Sequence, residues 1–281
     1  ESMEELLTGE VEEKPPSSVE QLSGLVRRVV AENPSIMTGP GTNSYVVGRD
    51  DVVVIDPGTL DPSHLRALAN VAPKISTIVI THRHPDHFTG AVELAGISGA
   101  EIAVSRSFAP YDLPETARRL SDGDNVTVPG VTLTALETPG HASDHIALWF
   151  EEEKSLFSGD LILGEGTSVI SPPDGNLTDY MKSLERVAAL PIEHLYPGHH
   201  APRNDPKEWI EYYISHRRER DDQILSALST GPKDIPAIVA EVYASYPKAL
   251  HRVAERSVLA HLQKMEGERR VVAEGDTWRK S

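Results

Sequence analysis

The order of strand-like and helix-like segments predicts an α/β protein. Two sheets lie sandwiched between helices, and a small helical domain follows. Three observations predict this. Short β-branched runs alternate with helical stretches over the first 206 residues of the 281-residue chain. That alternation comes twice, on a roughly twofold plan. From about Asp205 the strands give way to charged helices.

Residues 1–23 are rich in Glu, Pro and Ser, including Glu12-Glu13-Lys14-Pro15-Pro16-Ser17-Ser18. Such a segment buries too little apolar surface to fold, so disorder is expected over 1–23 and a main domain over 24–206. Within that domain Leu25–Val30 reads as a first strand, and Ser44–Gly48 with Asp51–Ile55 as a hairpin. Asp56-Pro57-Gly58 turns the chain. Asp61 reads as an N-cap with Pro62 at the first helical position, and Leu65, Leu68 and Ala69 facing inward. Ile75–Ile80 is a short apolar run, read as a buried strand ending at Thr81. The second half has strands at Ile102–Val104, Val131–Leu136, His145–Phe150 and Ser155–Phe157, a helix over Asp179–Leu190, and a strand over Ile192–Tyr196.

The tail, 207–281, has one long helix over Lys207–Leu228, ended by Gly231-Pro232. Two shorter helices follow at Ile235–Tyr246 and His251–Met265, then a strand over Arg270–Ala273. Three helices and a small strand suggest a winged-helix type of domain.

Composition narrows the chemistry. The chain has no cysteine, which excludes disulfides, thiolate ligands and a cysteine nucleophile together. Any zinc site must then be built from imidazole and carboxylate. The net charge of −16 argues against a large nucleic-acid footprint. The charge is uneven, however: residues 207–281 hold 13 Lys/Arg and 12 Asp/Glu, leaving 14 against 31 in the rest. No apolar run nears the ~20 residues that span a bilayer, and no basic-then-apolar leader is visible. The expectation is no membrane partner and a cytoplasmic location, with the mitochondrion the other compartment left open.

Chemistry concentrates in Thr81-His82-Arg83-His84-Pro85-Asp86-His87, at the end of a buried strand. Residues two apart in extended chain share a face, so His82 and His84 can point at one metal. The chain then turns near Pro85, and Asp86 and His87 aim at a second position. A lone loop histidine is usually a bystander; three with an aspartate at these offsets are a ligand cluster.

This spacing resembles the HxHxDH signature of the metallo-β-lactamase superfamily. The resemblance implies an αβ/βα sandwich catalytic domain and further ligands downstream. Thr138-Pro139-Gly140-His141, Ser158-Gly159-Asp160 and Pro197-Gly198-His199 stand where those are expected. Carried over, His82, His84 and His141 hold one metal, Asp86, His87 and His199 hold the other, and Asp160 bridges them. His200 is the alternative to His199. The implied cofactor is two zinc ions, with Mn2+ or Fe2+ as other divalent candidates. The implied chemistry is hydrolysis by a metal-bridging hydroxide, with Asp86 and Asp160 in catalytic roles.

A closer resemblance, to the β-lactamase-like protein 2 group, runs through Asn33-Pro34-Ser35-Ile36-Met37-Thr38, Gly41-Thr42-Asn43-Ser44-Tyr45, the stretch Phe157 to Thr167, Asp179-Tyr180-Met181-Lys182-Ser183-Leu184 and Ile214-Ser215-His216-Arg217. That group ends in a small winged-helix domain, and its animal mitochondrial member cuts single-stranded RNA. The implied substrates are therefore single-stranded RNA or a small molecule with a thioester, lactone or ester bond. A dedicated β-lactamase is not expected, because Asp160 is present and cysteine is absent. A non-catalytic zinc-stabilised module is the remaining reading. His145 and His200 are expected behind the ligands, orienting one or protonating a leaving group. Asn43 and Tyr180 are candidate pocket residues on resemblance alone. His64, His194, His216, His251 and His261 are read as surface or packing residues.

If both metal positions are real, elemental analysis of the purified protein should find close to two divalent ions per chain. A reproducible zero after growth in metal-replete medium would remove the site.

Overall fold

The computed structural model describes residues 17–108 and 113–281. The first sheet has seven strands in sequence order: β1 (Val19–Gln21), β2 (Val26–Val30), β3 (Asn43–Gly48), β4 (Asp51–Ile55), β5 (Lys74–Ile80), β6 (Glu101–Ser105) and β7 (Arg118–Leu120). The pairs from β1 to β4 are antiparallel, and those from β4 to β7 are parallel. Three helices interrupt it: α1 (Pro62–Ala69), α2 (Pro85–Phe88) and α3 (Ala91–Ser98). The second sheet runs β8 (Asn125–Val128), β9 (Val131–Glu137), β10 (Ile146–Phe150), β11 (Ser155–Gly159) and β12 (His194–Pro197). Helix α4 (Leu177–Ala188) joins its last two strands.

Side-chain alternation explains the layers. In β3 and β4, Tyr45, Val47, Val53 and Ile55 face the second sheet, while Val46, Val52 and Val54 face the helices. In β10, Ile146, Leu148 and Phe150 face the first sheet, while Ala147 and Trp149 face α4. A strand buried on both faces has to be apolar at every position, and these are. Leu65, Leu68 and Leu94 from α1 and α3 cover one outer face, and Tyr180, Leu184 and Val187 from α4 cover the other. The αβ/βα sandwich expected from sequence is therefore the observed architecture.

Two expectations are corrected. Of the segment 1–23 expected to be disordered, residues 1–16 lie outside the described residues, but Val19–Gln21 forms β1 on the edge of β2. Composition weighs against order, yet the open edge of β2 supplies backbone partners, and Glu20 pairs with Arg28 at 2.5 Å. The boundary at 206/207 also falls on a helix that serves both parts. Helix α5 (Pro206–Ala227) contributes Ile210 and Tyr213 to the core under the second sheet, and Ile224 to the C-terminal core.

That C-terminal core closes with α6 (Ile235–Val242), α7 (His251–Gly267) and a small sheet of β13 (Lys233–Asp234), β14 (Val271–Glu274) and β15 (Thr277–Lys280). Strand β15 lies between the other two, so β14 and β15 form a wing where the sequence predicts a single strand. Helix α7 sends Ala260 into the core of the second sheet as well. No helix among the described residues is long and apolar enough to cross a membrane.

Tyr213 is fully buried, and its hydroxyl accepts the Leu163 N–H at 2.8 Å. Replacing it with alanine should cost about 3–5 kcal/mol, the range for large buried aromatics. Because α5 spans both cores, urea unfolding should remain one transition. Two well-separated transitions in the wild type would show that the cores are independent.

Candidate metal centre

All the sequence-predicted ligands converge at the carboxyl ends of strands. His82 follows β5, His141 follows β9, Asp160 follows β11 and His199 follows β12. His84 is extended at the N-cap of α2, with ψ 136°, and Pro85 opens the helix. That break separates the two pairs: His82 and His84 come from extended chain, Asp86 and His87 from a helical turn. His82, His84, His141 and Asp160 form one group and Asp86, His87 and His199 another, with ligand atoms in each group within 4.8 Å of one another.

The distances suit a metal. Nδ1 of His84 lies 3.0 Å from Nε2 of His82 and 3.0 Å from Nε2 of His141. In the second group His199 Nε2 is 3.3 Å from His87 Nε2 and 3.2 Å from Asp86 Oδ2. Tetrahedral zinc with bonds of about 2.0–2.1 Å separates its ligands by about 3.3 Å. Asp160 reaches both groups: Oδ2 is 3.6 Å from His141 Nε2 and 3.4 Å from His199 Nε2, and Oδ1 is 3.4 Å from His87 Nε2. Oδ1 is buried without a hydrogen bond among the described residues.

The outer nitrogens of the rings decide the tautomers. His141 Nδ1–H donates to the Val169 carbonyl at 2.8 Å, and His87 Nδ1–H to Asp56 Oδ2 at 2.8 Å. Thr81 Oγ1 donates to Asp56 Oδ2 at 2.7 Å, which leaves its lone pair to accept His82 Nδ1–H at 3.0 Å. His82 and His141 therefore both turn an Nε2 lone pair toward His84. One ring N–H cannot satisfy two such lone pairs, whereas a cation between the three rings can. The donor set fits two divalent ions with nitrogen and oxygen ligands.

Asp56 is the functional residue that sequence reasoning missed, because in sequence it reads only as part of a turn. It is 2% exposed, holds φ at +50°, and also accepts the Thr81 backbone N–H at 2.8 Å. The available signal was an acid closing the apolar run Val52-Val53-Val54-Ile55. Glycine directly precedes His141, Asp160 and His199, and the packing gives the cause. A Cβ on Gly198 would sit 2.5 Å from Asp160 Oδ1, and one on Gly140 would sit 2.3 Å from the Tyr180 Cα.

The remaining candidates divide. His145 is buried, and its Nε2 accepts the backbone N–H of Asp160 at 3.1 Å while Nδ1–H donates to Thr138 Oγ1 at 2.9 Å. It orients Asp160. His200 does not replace His199: its ring lies against Gly39, and Nδ1 is 3.6 Å from Glu165. It borders a lobe of about 300 Å³ that also touches His141 and Asp160. Asn43 and Tyr180 are corrected, because neither lines the cavity. The Asn43 amide donates to the carbonyls of Pro197 and His200 at 2.9 and 2.7 Å, and the Tyr180 hydroxyl to that of Leu161 at 2.7 Å. Both are buried and hold ligand-bearing loops from behind.

Burial governs the charge states. It pushes His84 down to about 4 and holds His82 and His141 below their ordinary value. Burial also opposes charge on His87 and His199, but Asp160 outweighs it. His87 is raised well above its usual range and His199 to about 9. The first group thus presents neutral rings at pH 7, and the second holds protons that a metal must displace.

A cavity of about 650 Å³ opens over the centre, with His84, Asp86, His141, Asp160 and His199 on its floor. Its far wall is Arg252, Val253 and Arg256 from α7. Arg256 donates to Ser171 Oγ at 2.5 Å and to the Pro172 carbonyl at 2.6 Å, tying the C-terminal domain over the site. Arg252 makes no hydrogen bond or ion pair among the described residues.

Fold and site together define a sandwich hydrolase with two adjoining His/Asp groups that could hold metal ions, and Asp160 lies within reach of both. The sequence profile of the metallo-beta-lactamase superfamily matches residues 37–199, and that of the beta-lactamase associated winged helix domain matches residues 235–278. The chain belongs to the metallo-beta-lactamase superfamily, whose members are hydrolases. It is similar to a "Beta-lactamase-like protein 2 homolog" of Drosophila melanogaster, 36% identical over 270 residues, covering 89% of this chain and 91% of that one. An "Atrochrysone carboxyl ACP thioesterase" of Aspergillus fumigatus is 33% identical over 215 residues, covering 75% of this chain and 67% of the relative. A beta-lactamase domain protein from Burkholderia ambifaria shares the fold at a TM-score of 0.83 and 20% identity, covering 96% of each chain.

Asp56→Asn should keep the fold but weaken metal affinity about 10- to 100-fold, the usual effect of losing a partner behind a ligand; unchanged affinity by competitive chelation would rule that role out. Metal binding at the second position should release protons at pH 7 and tighten as pH rises toward about 9, where His199 gives up its proton. The first position should change little over the same range. Calorimetry in two buffers of different ionisation enthalpy reads the proton release directly.

Proposed function

We propose that the chain is a binuclear zinc hydrolase that cuts single-stranded RNA. The observation that carries this reading is the pairing of a His/Asp floor, with Asp160 within reach of both groups, with an arginine wall across one cavity. Five imidazoles and two carboxylates without thiolate suit zinc, and Mn2+ or Fe2+ would meet the same donors. When bound, such a pair of ions polarises the oxygen under attack and lowers the pKa of water toward neutrality.

The chain's own residues supply the rest. Thr42 Oγ1 donates to Asp86 Oδ2 at 3.2 Å, which leaves Asp86 Oδ1 to orient a water in the cavity. Arg252 and Arg256 line the cavity across from the His/Asp floor and suit an anionic substrate, a local positive wall within a chain of net charge −16. His200, on the adjoining lobe, is placed to protonate a leaving alkoxide.

A second reading, hydrolysis of an acyl thioester, is supported by the likeness to the fungal thioesterase. A thiolate leaves without needing a proton, so His200 separates the two. Asparagine tolerates the left-handed backbone of His200, φ +67°, so His200→Asn is a fair test. It should lower RNA cleavage by about 10²-fold or more, the scale of a general acid, and leave thioester cleavage nearly unchanged. The zinc-loaded protein should be assayed on single-stranded RNA, an acyl thioester, a lactone and a β-lactam, with Asp160→Ala as the inactive control. Turnover of the thioester alone would replace the first reading with the second.

A further inference from the structure

A second cleft of about 240 Å³ lies between the 167–169 loop and the C-terminal domain. It shares Val169 and Val253 with the wall of the catalytic cavity. Two guanidinium groups from α5 line it, Arg217 at 4% exposure and Arg220 at 6%. Neither makes an ion pair among the described residues. Each spends one N–H on a backbone carbonyl: Arg217 on Ser168, Arg220 on Val242 at 3.3 Å. The rings of Tyr180 and Tyr243 lie 5.2 and 4.1 Å from them.

These contacts leave the charge uncompensated. A buried cation without an acid is among the more costly things a fold can hold, and it is ordinarily paired. Here the nearest polar company is no help. Arg217 Nε and His216 Nδ1 are themselves buried with no hydrogen-bond partner. His216 also lines the cleft, and burial next to Arg217 and Arg220 lowers its pKa to about 4, so it stays a neutral ring. Packing alone would have been served by methionine or leucine at these positions. Two guanidinium groups lining one cleft, an unused N–H and a neutral imidazole instead describe an oxyanion cradle, since guanidinium matches phosphate geometry through paired N–H bonds.

We propose that this cleft binds a phosphate group through Arg217 and Arg220, with His216 completing the contact. The phosphate belongs either to the substrate, outside the bond being cut, or to free inorganic phosphate. The first source rests on the hydrolase reading above; the binding itself does not.

The test uses the full, metal-loaded chain in phosphate-free buffer. Inorganic phosphate should raise the thermal midpoint of the wild type by about 2–4 °C once well above its dissociation constant. His84→Ala, which cripples the metal centre, should keep the rise, and Arg220→Gln should lose it. No rise up to about 10 mM, or a rise kept in Arg220→Gln and lost in His84→Ala, overturns the proposal; the latter puts the anion on the metals. Should Arg220→Gln fail to fold, 31P line broadening of phosphate by wild type against Arg217→Lys decides the same question: broadening lost in the variant supports the cleft, and broadening kept overturns it. Kinetics then assign the source. If the substrate's phosphate occupies the cleft, inorganic phosphate raises KM for RNA several-fold in the wild type and not in Arg220→Gln. If the cleft takes the free ion, phosphate raises the midpoint and leaves KM unchanged. Phosphate binding without RNA cleavage sinks the ribonuclease reading alone, and cleavage without phosphate binding sinks this one alone.

Discussion

One buried carboxylate organises the centre. Asp56 lies at the end of β4 and takes the Thr81 amide, the Thr81 hydroxyl and the His87 ring N–H within 2.8 Å. Burying a carboxylate costs several kcal/mol, and three hydrogen bonds to the charged form offset that cost. The result is that strand β5, the turn after it and the first turn of α2 cannot move separately. Thr81 passes the constraint on twice. Its hydroxyl fixes His82, and its carbonyl accepts the Ile146 N–H at 2.8 Å, which docks the second sheet against the first beside the ligands.

The residues that converge at the centre were legible because metal chemistry restricts residue types and chain geometry restricts spacing. His82, His84, Asp86 and His87 could be read from local structure alone, and resemblance supplied His141, Asp160 and His199. The sandwich was legible because doubly buried strands such as β3, β4 and β10 are continuously apolar. Short strands escaped. Strand β8 alternates buried and exposed over only Asn125–Val128, and β15 is mostly polar because the wing lies against solvent. Asp56 escaped because Asp-Pro-Gly is an ordinary turn signature. Only the fold shows that the strand feeding it ends against His87.

The arginines show a different limit. In sequence the tail has a charge balance near zero and no sign of a basic face. The structure sorts the charges. Arg217 and Arg220 are one turn apart on α5, and Arg252 and Arg256 one turn apart on α7, so each pair shares a face. Both faces turn toward the catalytic domain, while acids such as Asp222, Glu219 and Glu255 do not line either cavity. Net charge averages over the very asymmetry that matters at the site.

Helix α5 has a consequence for how this architecture can vary. It starts in the core of the catalytic layer at Ile210 and ends in the C-terminal core at Ile224, with no flexible joint between. A continuous helix transmits phase: one inserted or deleted residue between those anchors rotates everything beyond it by about 100°. Such a change would swing the wing, α7 and its arginines around the mouth of the cavity as a unit. The count of residues along α5 therefore sets where α7 and its arginines stand relative to the cavity. That makes helix length, more than any side chain on the wing, the quantity that keeps the roof over the His/Asp centre.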